Sequence, residues 1–371
     1  MDFEFTQEHD ELRQTVKRFL DNDSTEQKVR GLMATDDGFD REVWAKMAAQ
    51  MGLQGLIVPE EHGGAGMGFV ELAVVLEEMG AALLCAPYLS TAVLATTALV
   101  ESGDGAACAA LLPGIAAGEL LATVAIAEPG SGWDPTQIAA RATADADHWK
   151  LDGEKTFVID GHTADVLLVA ARTDAGLGLF RVEAVADGLQ RELLPTLDLT
   201  RKLARVKLDG VRAERVGPDD AAALLERLLQ IGAIALACEQ AGGAQRVLDM
   251  AVDYAKTRLQ FGRPIGSFQA IKHRCADMLV DVEFAKSAAY HAAFCIAERR
   301  DDELATAANV AKSYCSEAFF RVANDNIQVH GGMGFTWEHP AHLYFKRAKS
   351  SAVLFGDASA HRERLADALG L

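Results

Sequence analysis

Two stretches of the sequence carry residues whose types and spacing suit the binding of an anionic, aromatic ligand. The first is "YAKTRLQFGRPIGSFQAIKH", residues 254–273, which contains Arg258, Arg263, Phe261 and Gln269 around a Gly-Arg-Pro turn. Guanidinium groups bind phosphate oxygens in a fork, and a phenyl ring stacks on a flat heterocycle. A capped corner between two helices has the same pattern, so this stretch by itself leaves both interpretations open.

The second stretch is rich in glycine. In "NIQVHGGMGFTWEHPAHLYFKRAK", residues 326–349, the letters "HGGMG" interrupt a helical pattern. Glycine lets backbone N–H groups approach a ligand where a side chain would collide, so the stretch predicts a ligand-binding turn. It is neither a dinucleotide fingerprint nor a P-loop, because those motifs follow a strand and the neighbours here are helical. We expect His330 and His342 to be structural contacts rather than proton shuttles.

A third stretch, "LFGDASAH", residues 354–361, contains a lone acid that invites a catalytic interpretation. Asp357 follows a glycine and precedes a charged helical tail. An aspartate in this setting usually caps the helix, because its carboxylate accepts from the unpaired N–H groups of the first turn. The pattern therefore favours a helix cap over a catalytic base at Asp357.

The hydrophobic periodicity predicts the scaffold that positions these stretches. Apolar residues recur with a helical period up to about residue 120 and again from about residue 216, whereas short β-type runs punctuated by turn signals lie between. We predict an α+β fold with an all-α N-terminal domain (1–120), a mostly antiparallel β domain (121–215) and a C-terminal four-helix bundle (216–371).

Composition narrows the class of protein. The 371 residues are half hydrophobic and can bury a large core, and a formal net charge of −18 argues against nucleic-acid binding, which needs a basic face. The six cysteines occur singly, which predicts reduced, buried thiols in a cytoplasmic protein and no zinc site. We expect neither a signal peptide nor a membrane span, because no apolar run has the required form.

The order of helical, β and helical regions, together with "AIAEPGSGWD", "RLQFGRPIGSFQAIKH" and "QVHGGMGFTWEHPAHLYFKRAK", resembles the acyl-CoA dehydrogenase family of flavoproteins. The resemblance covers essentially the whole chain. It implies FAD at a subunit interface in a dimer of dimers, an acyl-CoA substrate and an electron-transfer flavoprotein as acceptor. In the family a carboxylate removes the α-proton of the thioester, and hydride passes from the β-carbon to flavin N5.

The resemblance predicts that one half of a flavin site is intact. In the family, an Arg-x-x-Phe-Gly segment and a Gln-x-x-Gly-Gly segment of one subunit hold the pyrophosphate and adenine of FAD in the neighbouring subunit. We call the matching residues of this chain the trans half: Arg258, Phe261, Gln269, Gln328, Gly331 and Gly332.

The half that a family subunit supplies to its own flavin, here called the cis half, departs from the pattern. Where the family has Thr-Glu-Pro-Gly-x-Gly-Ser, this chain has Ala127 at the first position and Trp133 at the last. Where the family has Trp-Ile-Thr, this chain has Phe157, Val158 and Ile159. The resemblance therefore predicts the loss of hydrogen-bond donors around the flavin ring and the thioester.

The catalytic base is missing from both of its family positions. An ungapped register places the family's glutamate on Phe355 and a flavin-seating threonine on Asp357, with Arg362 on a later family arginine. Other members carry the glutamate at the position of Gly232. Glu239 lies two helical turns beyond Gly232, and we expect it to be a structural, hydrogen-bonded residue.

Three hypotheses follow. In the leading one, the chain is the non-catalytic subunit of a heterotetrameric (α2β2) acyl-CoA dehydrogenase for steroid-derived or other bulky acyl-CoA thioesters, and a homologous partner supplies the glutamate. In the second, the chain is a self-sufficient flavoenzyme with Asp357 as base, which requires the turn to shift by two residues. In the third, the chain is a scaffold that keeps the fold and binds neither flavin nor acyl-CoA.

Overall fold

The structure is a computed structural model that describes residues 6–371. The first part of the chain is helical: α1 (Gln7–Asp23), α2 (Glu26–Met33), α3 (Arg41–Met51), α4 (Phe69–Ala81), α5 (Thr96–Ser102) and α6 (Gly105–Ala116), with π-helical turns at Tyr88–Ala95 before α5. The middle part is strand-rich: β1 (Ala122–Ala125), β2 (Arg141–Asp145), β3 (His148–Ile159), β4 (Val166–Thr173), β5 (Gly176–Glu183), β6 (Leu189–Leu193) and β7 (Leu203–Val216).

The last part is helical again: α7 (Ala222–Thr257), α8 (Gln269–Ala297), α9 (Asp301–His330), α10 (Ala341–Val353) and α11 (Ala358–Leu369), with the small hairpin β8 (Leu259–Gln260) and β9 (Arg263–Pro264) between α7 and α8. The predicted α+β class, with helical N- and C-terminal parts and a central sheet, is confirmed. The predicted domain boundaries near residues 120 and 215 stay a prediction.

The described residues form two compact units. The sheet unit comprises Gly31–Gly68 and Cys85–Gly232, and the helical unit comprises residues 6–30, Phe69–Leu84 and Ala233–Leu371. None of the helices within residues 6–371 is long and apolar enough to cross a membrane. The cysteines are free thiols, and all but the half-buried Cys275 are buried, as predicted.

The sheet unit is built on a mostly antiparallel sheet with the strand order β1-β4-β2-β3-β7-β5. Strand β6 pairs with the N-terminal part of β7, from Ala204 to Leu208. Since β4 also pairs with β5, strands β4, β2, β3, β7 and β5 close on themselves as a small barrel. Leu167, Val169, Phe180 and Val182, which share one face of the β4–β5 pair, are fully buried. A register shift between Lys155 and Val158 marks a β-bulge in β3.

In the helical unit, glycine lets α4 and α7 cross with their backbones in contact. A Cβ added at Gly80 would lie 2.0 Å from the carbonyl oxygen of Glu239, and one at Gly242 would lie 1.8 Å from that of Glu77. Real Cβ atoms cannot approach so closely, so only glycine permits this crossing. The crossing fixes α7, whose C-terminal end leads into the predicted ligand-binding segment.

Candidate functional site

The β8–β9 hairpin presents Phe261 to solvent in a strained backbone conformation. Its two central residues, Phe261 and Gly262, have φ of +53° and +76°, as in the two-residue turns that match strand twist. For a residue other than glycine, this left-handed conformation costs about 1–2 kcal/mol. The Phe261 side chain is 91% exposed, so within this chain no burial offsets that cost. Strain of this kind at an exposed aromatic points to a ligand or another subunit that covers the ring.

Arg258 and Gln269 flank this hairpin on fixed backbone. The Arg258 N–H donates to the carbonyl of Tyr254, and the Arg258 carbonyl accepts from the N–H of Ile265, both at 2.8 Å. Gln269 is the first residue of α8. Both side chains are exposed. A guanidinium group and an amide group on well-ordered backbone are therefore accessible to a ligand.

The glycine-rich turn begins where α9 ends. Gln328 is exposed in the last helical turn, and Gly331 follows with φ of +60° and ψ of −137°, a combination that other residues rarely adopt. A Cβ built on Gly331 or on Gly332 meets no atom within 4 Å. The turn therefore borders open space, as the sequence predicts for a ligand-binding turn.

Contacts of Tyr254 bring the two segments of the trans half together in the helical unit. The Tyr254 ring stacks on His330, with ring centroids 4.3 Å apart, and its hydroxyl lies 3.8 Å from the sulfur of Met333. Arg258 comes one helical turn after Tyr254, and Gly331 comes directly after His330. The structure thus fixes the arginine-bearing end of α7 against the end of α9 that carries the glycine turn.

The start of the cis half is held by a buried ion pair in the sheet unit. The Nζ of Lys155 donates to Oε1 of Glu128 at 2.6 Å, and the other contacts of that carboxylate are the N–H groups of Ala139 and Ala140. Burial opposes the ionised form of Glu128, but the Lys155 ammonium and these N–H groups outweigh it and lower the pKa of the carboxyl. Glu128 is therefore a structural anion rather than a base.

Apolar side chains occupy the positions where the resemblance implies flavin hydroxyl donors. The N–H of Thr156 donates to the carbonyl of Ala127 at 2.9 Å, which joins the two cis segments. Ala127 is 1% and Ile159 is 3% exposed. Phe157 sits in the β-bulge with φ of +53° and is 45% exposed, so an aromatic surface is retained while the donors are absent.

The C-terminal turn that carries Phe355 is fixed by buried polar groups. The Nζ of Lys312 donates to the carbonyls of Ala352 and Gly356, both at 3.0 Å, and His361 Nε2 donates to the carbonyl of Phe355 at 3.1 Å. Burial lowers the pKa of Lys312 to about 7 and that of His361 to about 4. Phe355 has φ of +60° and is only 3% exposed. The position that the ungapped register predicts for the family's glutamate thus holds a buried ring.

Asp357 caps α11, which confirms the cap that the sequence favours. Its carboxylate accepts from the N–H of Ala360 at 2.9 Å, and the residue is exposed. A base for α-proton removal works best in an apolar, water-poor setting. The exposed, capping carboxylate of Asp357 does not have that setting.

The remaining candidates have structural contacts. Gly232 is buried on α7, and Glu239 is buried with its carboxylate 3.7 Å from a guanidinium nitrogen of buried Arg347, as expected for a structural residue. His330 hydrogen-bonds the carbonyl of Asn326 at 2.9 Å, and His342 lies 3.4 Å from the carbonyl of Trp337. Burial lowers the pKa of both histidines.

Among the described residues, one group of side chains has the composition of a metal site. His291, Cys295 and Glu303 have ligand atoms within 4.8 Å of one another. However, Arg300 pairs with Glu303 at 3.3 Å, and burial raises the pKa of Cys295, which disfavours the thiolate that a metal requires. We assign no metal to this group.

Sequence reasoning missed Lys312, His361, Tyr254 and His339. Lys312 carried a detectable signal, since it is a lone lysine in the apolar helical run "ANVAKSYCSEAFF". Tyr254 acts through contacts with residues distant in sequence, for which a single sequence gives no signal. The contacts of His361 and His339 lie closer in sequence, but they depend on the geometry of turns that residue spacing does not reveal.

Family models described as the N-terminal, middle and C-terminal domains of acyl-CoA dehydrogenase match residues 6–119, 123–209 and 222–370. Acyl-CoA dehydrogenase IpdE2 of Mycolicibacterium smegmatis is 35% identical over 364 residues, which cover 97% of this chain and 98% of the relative. Acyl-CoA dehydrogenase FadE27 of Mycobacterium tuberculosis is 34% identical over 379 residues, which cover 98% of each chain.

Two solved structures are similarly close. A variant of the Tcur3481-Tcur3483 steroid ACAD has a TM-score of 0.90 at 35% identity, with 98% of each chain covered. The ChsE4-ChsE5 complex from Mycobacterium tuberculosis has a TM-score of 0.92 at 33% identity, with 100% of this chain and 99% of that chain covered. This chain belongs to the acyl-CoA dehydrogenase family, whose members are FAD-binding flavoproteins.

Proposed function

We propose that this chain is the non-catalytic subunit of a heteromeric, FAD-dependent acyl-CoA dehydrogenase and that it completes the flavin site of a homologous partner that carries the glutamate. The observation that supports this most directly is the contrast between the two halves. The trans half is complete and exposed, whereas the register position of the base holds the buried ring of Phe355.

The residues of the trans half fit the pyrophosphate and adenine of FAD. The exposed guanidinium of Arg258 suits a diphosphate, because it offers N–H donors to anionic oxygens. The turn at Gly331 and Gly332 leaves room for those oxygens, since a Cβ at either position would meet no atom within 4 Å. The ring of Phe261 offers a stacking surface for the adenine, and Gln269 and Gln328 offer exposed amides as further hydrogen-bonding groups. Exposure of the whole set suits a ligand that belongs mainly to another subunit.

The cis half and the predicted position of the base do not fit the reaction. Phe355 cannot accept a proton, and the buried Ala127 and Ile159 offer no donor to a flavin ring. FAD, when bound, supplies the acceptor for hydride. We therefore assign to this chain the binding and orientation of the anionic part of the cofactor, and to its partner the α-proton transfer.

The names of the structural neighbours support a heteromer. One neighbour is named as the Tcur3481-Tcur3483 steroid ACAD, and the other as the ChsE4-ChsE5 complex, so each name joins two chain names. We propose the same arrangement here: an α2β2 assembly with a homologous acyl-CoA dehydrogenase subunit, acting in the cytoplasm on a steroid-derived or similarly bulky acyl-CoA thioester. The proposed electron acceptor is an electron-transfer flavoprotein.

Expression of the chain alone and together with a homologous glutamate-bearing subunit tests the proposal. Flavin content is measured from absorbance, and turnover from the reduction of ferrocenium in the presence of acyl-CoA. We expect little FAD and no reduction from the chain alone, and both flavin and turnover from the co-expressed pair. Stoichiometric flavin with turnover from a homo-oligomer of this chain would overturn the proposal.

A further inference from the structure

A stack of three rings lies next to the residues of the trans half, one helical turn before Arg258 and directly before Gly331. We call Tyr254, His330 and His339 the ring stack. The centroids of Tyr254 and His330 are 4.3 Å apart with planes at 26°, and those of His330 and His339 are 4.2 Å apart at 46°. The three rings come from the end of α7, the end of α9 and the loop before α10, and they meet next to the Gly331–Gly332 turn.

Hydrogen bonds fix the orientation of both imidazoles. His330 Nδ1–H donates to the carbonyl of Asn326 at 2.9 Å, within α9. His339 Nδ1 accepts from the N–H of Ala341 at 3.2 Å, at the start of α10, so its proton sits on Nε2 when the ring is neutral. The His330 ring is therefore fixed to the backbone of α9, and the His339 ring to the first residue of α10.

The stack is built for neutral histidines. Burial lowers the pKa of His330, and burial together with neighbouring His330 lowers the pKa of His339. If both rings were protonated, two positive charges would face each other across the stacking distance.

The charged groups around the stack do not relieve this repulsion. His342 and Arg30 disfavour the charge on His339, and Glu26 favours it. The Glu26 carboxylate is already paired with Arg30 at 2.7 Å. Lys346 adds a positive charge beside His342.

We propose that the ring stack is the positioning element of the trans half: it keeps the arginine-bearing end of α7 in register with the Gly331–Gly332 turn only while His330 and His339 are neutral, so that acidification weakens FAD binding. This inference rests on the proposed function. Its sign follows from linkage, because a loosened stack takes up protons that the native stack excludes. The stabilisation is complete above the ordinary histidine pKa of 6.5 and is lost as the pH falls below it.

The test measures FAD affinity of the co-expressed complex across the histidine range. Released FAD is followed by its fluorescence between about pH 8 and about pH 5.5. We expect the dissociation constant of the wild-type complex to rise ~10-fold over this interval, the effect of one proton coupled to release over about one pH unit. His339→Phe keeps a ring in the stack and removes both its charge and the repulsion between the two imidazoles. Because His330 still titrates, we expect the dissociation constant of this variant to rise by only ~3-fold over the interval.

A matched control is His62→Gln, which alters a histidine in the segment between α3 and α4 and should retain the wild-type profile. If His339→Phe does not assemble, His330→Phe removes the other titrating ring and should weaken the pH dependence in the same way.

Arg258→Ala distinguishes failure of this inference from failure of the proposed function. If Arg258→Ala weakens FAD binding at high pH while either histidine variant keeps the full wild-type pH dependence, the ring stack does not act as proposed although the trans half does. If Arg258→Ala leaves FAD affinity unchanged at every pH, the proposed function itself is overturned.

Discussion

Phe261 and Phe355 have the same side chain in the same left-handed backbone conformation, with φ of +53° and +60°, yet they differ completely in exposure. Phe261 is 91% exposed and Phe355 is 3% exposed. Burial of a phenylalanine side chain contributes about 1.5–3 kcal/mol, which outweighs the 1–2 kcal/mol cost of its backbone conformation at Phe355. At Phe261 this compensation is absent from the chain itself.

The difference shows two uses of a strained backbone. At Phe355 the strain places a ring in the core of the chain, whereas at Phe261 it places a ring where another subunit or a ligand could contact it. At Phe355, the bonds from Lys312 and His361 fix the turn, and the ring lies at the position that the ungapped register predicts for the family's glutamate. At Phe261, the hairpin holds a ring in solvent, where only another molecule can cover it. If the proposed function is right, the chain has lost its own catalytic position and presents groups that complete the site of a partner.

The largest effect that we expect comes from Phe355→Ala. Truncation of a buried phenyl ring loses its burial and leaves a cavity, so the free energy of unfolding of the full chain should fall by about 3–5 kcal/mol. Phe355→Leu, which keeps most of the volume, should cost less than about 1.5 kcal/mol. Denaturant unfolding measures both, and a stable Phe355→Ala chain would show that the ring does not pack as the structure has it.

Arg258→Ala should produce the next largest effect, and it acts on the assembly rather than on the chain. Loss of charge-assisted hydrogen bonds to a diphosphate should weaken FAD binding by the co-expressed complex by about 2–3 kcal/mol, or ~50-fold. Stability of the chain should be unchanged. Arg18→Ala, at an exposed arginine on α1, is the control and should bind FAD like the wild type.

A pH experiment examines the hydrogen bonds by which Lys312 fixes the turn that carries Phe355. Burial lowers the pKa of Lys312 to about 7 from an ordinary 10.5, so between these values the unfolded chain holds a proton that the folded chain has released. The free energy of unfolding must therefore rise with pH across this window, by about 2 kcal/mol from about pH 7 to about pH 9.

In Lys312→Met this rise should be absent, and the difference between the two unfolding profiles isolates the contribution of the lysine. Equal pH slopes in the two proteins would mean that Lys312 is charged in the folded chain throughout the window. The bonds from Lys312 to the carbonyls of Ala352 and Gly356 would then come from an ammonium rather than from a neutral amine.

Phe261→Ala should give a smaller effect. Unlike Phe355→Ala, it should lower the FAD affinity of the complex and leave the stability of the chain nearly unchanged. Loss of a stacking surface should weaken FAD binding by the complex by about 1 kcal/mol, or ~5-fold. The stability of the chain should change by no more than about 0.5 kcal/mol, because the ring is exposed. Phe261→Tyr keeps the stacking surface and should bind FAD normally; a loss of chain stability in Phe261→Ala would instead mean that the ring packs within the chain.

Much of this picture could be predicted from sequence, because it depends on local patterns. Helical and alternating periodicity predicted the α+β order, and the glycine run predicted an open turn after α9. The cap at Asp357 followed from the residue type and its place before a helix. Each of these features is determined by residues within one or two turns of each other.

The parts that could not be predicted depend on contacts between distant segments. Lys312 reaches the turn at Gly356 from α9, and Tyr254 meets His330 and Met333 from α7. Neither contact follows from composition or spacing. The left-handed conformation of Phe261 was equally hidden, because a hairpin turn of this type usually has Asn, Asp or Gly at its first central position.

The smallest effect that we expect, from Asp357→Asn, decides between the two enzymatic hypotheses. Asparagine caps a helix about as well as aspartate does, so stability should change by less than about 0.5 kcal/mol, whereas Asp357→Ala should cost about 1 kcal/mol by loss of the bond from the Ala360 N–H. If Asp357 only caps α11, turnover by the co-expressed complex should stay within ~2-fold of wild type in Asp357→Asn. A base replaced by an amide would instead cost turnover ~100-fold or more while flavin content stayed constant. That outcome would assign the chemistry to this chain, and the exposed Phe261 would then complete the site of an identical subunit rather than that of a partner.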